Sequence, residues 1–344
     1  MTGMGLLTGV DRLTGRLDRW YFALQRRRER QRGSPLWFHG GWGSQAALEA
    51  AVSLWHAPPS LASPTLSWHS RWVHLAPHLW QREGQFHVPG LAEHLPRESA
   101  TAYVRWVRPR HTSPWSPVVV MLPTTRESGF AARMPVARAL ARQGVASVLL
   151  ESPFMGRRRP PSQHGATLTH FSDLLLMCSA SILEARALLV WLAQQGHATL
   201  CTAGISQGGY LATVAGLQSA VPCHITAMLA PHSGQAVWLD GLLGQMCDWA
   251  ALQATCGTAT PVRHRMHELF EAASLEHLPP PRRPQRLTLV AARRDQYVPP
   301  ESYERLERCW QGLAKVHWLP GGHVSSIAER GHYTRAILAT LQGP

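Results

Sequence analysis

Three side chains in this sequence have the types and the order needed for nucleophilic catalysis: Ser206, Asp295 and His323. A serine hydroxyl is a weak nucleophile until a neighbouring base takes its proton. A histidine held in one tautomer by a carboxylate is a base suited to that task, and it can later return the proton to the leaving group. Ser206 lies in Gly204-Ile205-Ser206-Gln207-Gly208, a G-x-S-x-G motif. In such motifs the serine stands on a sharp strand-to-helix turn, and the flanking glycines let the backbone turn and let neighbouring elements pack closely.

Residues 197–202 read as the short buried strand this turn requires, and residues 210–217 as the start of its helix. The β-rich run 286–292 ends in Arg293-Arg294-Asp295-Gln296-Tyr297-Val298-Pro299, which sets Asp295 in a loop just past a strand. Residues 316–319 form another short strand, followed by Pro320-Gly321-Gly322-His323, so His323 is expected on a glycine-rich loop. Open α/β sheets bind ligands outside the carboxyl ends of their strands, which brings all three residues to one edge. The order Ser, acid, His is that of an α/β-hydrolase triad.

The oxyanion of a tetrahedral intermediate needs two N–H donors, and loss of one costs about 3–4 kcal/mol of transition-state stabilisation. One donor is expected to be the amide of Gln207, the residue after the nucleophile. The second is expected from the loop after the strand at 118–122, from Thr124 or Thr125, because Pro123 has no N–H. Arg157 and Arg158 follow a strand on the same edge and are candidates to bind an anionic head group, the alternative being a solvated or glutamate-paired loop.

Strands alternating with helices predict a mainly parallel, doubly wound α/β-hydrolase sheet. Strands are expected at 101–107, 118–122, 146–150 and 225–229, and helices at 130–143 and 173–195, the second capped by Ser172. No Asp, Glu, Lys or Arg occurs from residue 187 to 239, as expected for elements buried in a parallel sheet. Gly, His and Gln interrupt that stretch and argue against a membrane span there. A helical and irregular extension is expected over 1–85 and the hydrolase domain over 86–344. Residues 234–285, with helix-like segments at 237–254 and 262–277, make a small lid insertion.

Within the extension, Leu6, Val10, Leu13, Leu17, Trp20 and Leu24 recur at helical spacing over residues 1–32, with Arg12, Arg16 and Arg19 on the other face. That helix could dock on the protein's own domain, lie peripherally on a membrane, or bind a partner. Ser44 is a good N-cap for a helix to about Trp55, and residues 56–80, rich in Pro, Trp and His, read as irregular.

The net charge of +13 is almost all arginine, since Lys315 is the only lysine among 34 basic residues. A basic surface favours anionic partners, but no RNP, zinc-finger or helix-turn-helix pattern supports nucleic acid. The six cysteines show no CxxC pairing or metal spacing, and the 19 histidines no metal signature. No GxGxxG or P-loop implies a nucleotide, so no cofactor is expected. Residues 1–10 lack the pattern of a secretory signal, and with cysteines read as reduced core residues this gives a cytoplasmic expectation, with membrane-peripheral contact as an addition.

Several motifs occur together and in order: Gly40-Gly41-Trp42-Gly43, Phe86-His87-Val88-Pro89, Leu149-Leu150-Glu151-Ser152-Pro153-Phe154-Met155-Gly156-Arg157-Arg158, Ser172-Asp173-Leu174, Gly204-Ile205-Ser206-Gln207-Gly208-Gly209 and Pro320-Gly321-Gly322-His323-Val324-Ser325. In this combination the chain resembles the α/β hydrolase domain-containing protein 18 family over about residues 40–335. The resemblance implies a serine hydrolase with Ser206, Asp295 and His323 at the triad positions, and lipid-directed deacylation as the suggested activity. The chain departs from the family pattern at Pro123-Thr124-Thr125-Arg126-Glu127, where relatives tend to carry a glycine-containing loop. Its lid is also short beside eukaryotic relatives. A carboxylic-ester hydrolase, with lipid acyl esters among its substrates, is therefore the leading expectation; a catalytically silent scaffold of the same fold is the alternative.

Overall fold

A computed structural model describes residues 7–76, 79–111, 113, 115–257, 260–282 and 284–343, without the side chains of 7–14. Leu6 and the side chains of Val10, Arg12 and Leu13 therefore lie outside the described residues. Ten strands form one sheet: β1 (Ser67–Trp68), β2 (Val73–Ala76), β3 (Leu79–Phe86), β4 (Ala102–Pro109), β5 (Val118–Met121), β6 (Ala146–Leu150), β7 (Leu200–Ile205), β8 (His224–Met228), β9 (Leu287–Ala292) and β10 (Ala314–Leu319). Their order is β1-β3-β4-β6-β5-β7-β8-β9-β10, with β2 also paired to β3. From β6 to β10 every pairing is parallel, while β1 to β4 add an antiparallel edge.

The helices are α1 (Leu7–Gln31), α2 (Gln45–Trp55), α3 (Met134–Arg142), α4 (Phe171–Gln194), α5 (Gln207–Leu217), α6 (Gln235–Trp238), α7 (Trp249–Ala254), α8 (Val262–Ala272), α9 (Pro300–Cys309), α10 (His323–Ala328) and α11 (Arg330–Gln342). Val-Val-Val-Met of β5 is buried on both sides, as central parallel strands are. Val118 and Val120 enter one core with Ile182 and Leu189 of α4 and Leu211 of α5. Val119 and Met121 enter the other with Leu140 of α3 and Ile337 of α11. Helices thus cover both faces. Among the described residues only α4 is long and apolar enough to cross a membrane, and most of it is buried in this protein.

A third core lies above the carboxyl edge of the sheet and joins the N-terminal segment to the 234–285 insertion. Trp37 donates its amide to Met246 O at 2.9 Å and accepts from Asp248 N at 2.8 Å. Trp42 Nε1 donates to Leu252 O at 2.8 Å, and Phe38 packs on Phe171 and Trp238. The extension is therefore woven into the insertion.

Several expectations need correction. Residues 56–80 are not wholly irregular, because β1, β2 and the start of β3 fall there. These strands lack apolar alternation; Arg82 instead lies 3.5 Å from the Trp68 ring centroid, with Trp72 and Trp106 beside it. The sheet consequently begins before residue 86, where β3 ends. α4 starts at Phe171 rather than after Ser172, and His170 N donates to Asp173 Oδ2 at 2.8 Å to close its first turn. The helical run expected over 237–254 is broken into α6, a 3-10 turn at Leu242–Met246 and α7. Gly241 permits the break: a Cβ there would meet Tyr297 O at 2.2 Å. Ser44 does cap α2, accepting from Ala47 N at 3.1 Å.

Candidate active site

Ser206 joins β7 to α5 with φ 56° and ψ −122°, a conformation costly for any residue with a Cβ. The turn is tight enough that a Cβ at Gly204 would lie 2.1 Å from Gly208 backbone atoms, and one at Gly208 would lie 2.8 Å from Leu122 O. Those two glycines therefore let β7, α5 and the end of β5 converge beneath the serine.

Asp295 is buried in the loop after β9 and satisfies four donors. Its Oδ1 accepts from Tyr297 N and Val298 N, each at 2.8 Å. Its Oδ2 accepts from Tyr303 OH at 2.7 Å and faces His323 Nδ1 at 2.6 Å. A carboxylate there fixes the tautomer in which Nδ1 carries the proton and Nε2 is free to act as base. His323 is the first residue of α10 rather than part of an extended loop. Burial lowers its pKa, the Asp295 carboxylate and its hydrogen bond raise it, Asp18 adds to the rise, and the net shift is upward.

Ser206, Gln207 and Thr125 line one cavity. Its walls come from α2 (Ala51, Val52, Trp55), α4 (Leu174, Leu175, Cys178) and the insertion (Val237, Trp238, Leu269, Phe270). Among the described residues no charged side chain lines it. Tyr210 OH accepts from Trp55 Nε1 at 2.9 Å and donates to Ala273 O at 2.6 Å, so its polar end is satisfied within the protein. Burial pushes the Cys178 thiol up to about 11, with a Gln207 hydrogen bond opposing, which keeps it protonated and unreactive at neutral pH.

The amides of Gln207 and Thr125 donate to no acceptor among the described residues. Thr124 differs, because its N–H donates to Glu127 Oε2 at 3.1 Å. Glu127 is held in turn by Arg133 Nε at 2.8 Å, and Arg133 also binds Met121 O and Leu150 O at the ends of β5 and β6. Of the two threonine amides, only the one at Thr125 is left without an acceptor among the described residues, and Thr125 lines the cavity.

The sequence-predicted residues are thus brought together in two groups: Asp295 with His323, and Ser206 with Gln207 and Thr125. No hydrogen bond joins Ser206 to His323 among the described residues. Arg157 and Arg158 belong to neither group, so the head-group expectation is corrected. Arg158 is fully buried and grips both carboxylate oxygens of Glu184, at 2.9 and 2.5 Å, along with Glu151 O and Ser99 O. Arg157 pairs with Glu151 at 2.8 Å and Glu83 at 3.2 Å. Their charges are spent on the protein's own carboxylates.

Sequence reasoning missed Tyr303 and Asp18, which reach the Asp295–His323 pair from α9 and α1. Tyr303 lies eight residues beyond Asp295 in α9 and carries no motif. Asp18 sits on α1 as the one acid in a row of arginines from Arg12 to Arg19, and only that exception marked it.

The family model described as "Alpha/beta hydrolase domain containing 18" matches residues 36–260 and 253–342. Among solved structures, the acetyl xylan esterase from Paenibacillus sp. R4 aligns with a TM-score of 0.55 at 13% identity, over 84% of this chain and 92% of that one. Acetyl xylan esterase 1 from Thermoanaerobacterium sp. JW/SL YS485 aligns with a TM-score of 0.51 at 13% identity, over 86% and 94%. At such identities the likeness is one of fold.

Proposed function

The chain belongs to the alpha/beta hydrolase domain containing 18 family, and from that premise we propose that it is a serine hydrolase cleaving a carboxylic ester through an acyl-enzyme on Ser206. The observation that carries the reading is the strained turn at Ser206, which lines one apolar cavity together with Gln207 and Thr125, two residues whose amides donate to no acceptor among the described residues. A reactive serine, donors for an oxyanion and an apolar acyl site are what such a reaction needs in one place.

In this reading the acyl chain lies in the cavity and its carbonyl carbon meets Ser206 Oγ. His323 Nε2 takes the hydroxyl proton while Asp295 holds the resulting imidazolium. The amides of Gln207 and Thr125 receive the negative oxygen. His323 then gives its proton to the departing alcohol, and water, deprotonated by the same nitrogen, releases the acid. Proton transfer requires His323 and Ser206 to approach within hydrogen-bond reach, a closure that substrate commonly completes. The uncharged lining supports a hydrophobic acyl group, lipid acyl esters included. The outward-facing Leu17, Trp20 and Tyr21 of α1, near Arg16, Arg27 and Arg28, support peripheral contact with a membrane carrying such esters.

The test is labelling of the purified protein with a fluorophosphonate, beside Ser206→Ala, followed by esters of graded acyl length. Labelling of the wild type alone is expected, with turnover favouring apolar acyl chains. A Ser206→Ala protein that keeps full esterase activity would sink the mechanism. A folded wild type that never labels would favour a binding protein of this fold.

A further inference from the structure

We propose that Asp18, on the N-terminal helix, is a positioning residue that fixes the loops carrying Asp295 and His323 relative to each other. The inference rests on the reading of His323 as the base. Asp18 is fully buried, and its two oxygens take three backbone donors. Oδ2 accepts from His323 N at 2.8 Å and from Gln296 N at 3.1 Å, and Oδ1 accepts from Val324 N at 2.9 Å. Gln296 follows the acid of the triad and Val324 follows its base, so one carboxylate ties the two loops together. The fit is close: a Cβ on Gly322 would lie 2.6 Å from Asp18 Oδ2.

A carboxylate buried with three amide donors is costly to move, because withdrawing it strands donors and charge alike. Burial raises the Asp18 pKa, while its bonds from Val324, His323 and Gln296 pull it down and the like charge of Asp295 pushes it up again. α1 is held over the same edge at other points. Arg19 donates to Gln296 Oε1 at 2.9 Å, and Glu29 pairs with Arg126 in the Thr124–Thr125 loop. One helix outside the sheet thereby braces the loops of the acid, the base and the expected oxyanion donor.

The groups that face His323 are Asp18 from α1, Asp295 and Tyr297 from the loop after β9, and Tyr303 of α9 through Asp295. Losing the negative charge of Asp18 should lower the His323 pKa, since that charge is one of the causes raising it. A purely structural role would reduce the amount of folded protein and leave that pKa where it is.

The experiment measures kcat, KM and the pH dependence of kcat/KM for a soluble short-chain ester, with wild type, Ser206→Ala, Asp18→Asn and Gly322→Ala in the full chain. Rates are expressed per active site titrated with a fluorophosphonate, which removes misfolded protein from the comparison. For Asp18→Asn, kcat per site is expected to fall by about 10- to 100-fold, the scale of a 1 Å misplacement, with KM changed less than about 3-fold. Its acid limb is expected to move to lower pH. Gly322 has an extended backbone open to any residue (φ −94°, ψ −171°), so Gly322→Ala disturbs the same contact with the charge kept. It should also lower kcat per site, without the shift of the limb caused by loss of charge.

Wild-type kcat per site and an unmoved limb in Asp18→Asn overturn the inference even if less protein folds. Should Asp18→Asn not fold at all, wild-type kcat per site in Gly322→Ala overturns it. If the wild type shows no Ser206-dependent labelling, the reading of His323 as base fails first and the inference falls with it.

Discussion

The conformation of Ser206 makes a prediction whose sign is opposite to the ordinary rule. At a relaxed position outside a turn, glycine is less stable than alanine by about 0.5–1 kcal/mol, because it loses more backbone freedom on folding. Ser206 sits at φ 56° and ψ −122°, where a Cβ costs about 1–3 kcal/mol and glycine pays nothing. Alanine keeps the Cβ, so Ser206→Ala retains the strain and Ser206→Gly removes it. Setting a strain of about 1–3 against an entropy loss of about 0.5–1, glycine should be favoured by roughly 1 kcal/mol, with about 2.5 as the upper end. Neither variant has the hydroxyl, so its hydrogen bonds drop out of the comparison. Urea denaturation of the two inactive proteins, with equal m-values, measures the difference directly. If Ser206→Gly is instead the less stable by about 0.5–1 kcal/mol, the backbone there is relaxed and the strain argument fails. Strain is expected at this edge on other grounds too: Arg126, Phe154 and Leu229 also have positive φ and follow β5, β6 and β8.

Two further predictions follow from the groups around the site. The upward shift of His323 means its imidazolium persists above the ordinary value, so the free base appears only at higher pH. The rise of kcat/KM should therefore have its midpoint above about pH 6.5, and a midpoint clearly below that would contradict the dominance of Asp295. Arg158→Ala leaves Glu184 as a buried, unpaired carboxylate and should destabilise the fold by about 3–5 kcal/mol, measured by denaturant titration. Whatever activity remains should fall equally for neutral and anionic esters; a selective loss for anionic ones would restore a head-group role.

The central strands and the sharp turn at Ser206 were legible because each depends on local pattern. β5 and β6 are short β-branched and apolar runs bounded by turns, and they are found where that pattern lies. The turn at Ser206 announces itself through Gly204 and Gly208, since no side chain fits at either place. β3 was illegible for the converse reason: Leu-Trp-Gln-Arg-Glu-Gly-Gln-Phe has no clean alternation, and its stability comes from partners such as Trp68 and Arg105 that no window contains. Arg158 looked like a site residue because position after a strand is all the sequence displays. Its partner Glu184 lies 26 residues further on, in the middle of α4.

The expected division into an extension and a hydrolase domain meets a structural difficulty at the active-site edge. Residues before the first parallel strand supply one wall of the Ser206 cavity through Ala51, Val52 and Trp55 of α2. They also supply Asp18 to the His323 loop and Glu29 to Arg126. A segment that gives both apolar wall and hydrogen bonds to a site cannot be removed without exposing the wall and stranding the donors. The costs add, because the two contacts sit on different helices with separate partners. The amphipathic pattern of α1 could be read as a helix docked on its own protein or lying on a membrane, and the two are compatible by face. Phe22 and Asp18 point inward, whereas Trp20, 62% exposed, points away. A membrane drawing on the outer face of α1 would then act on the helix that holds the His323 loop, which links any surface binding to the geometry of the base proposed for this site.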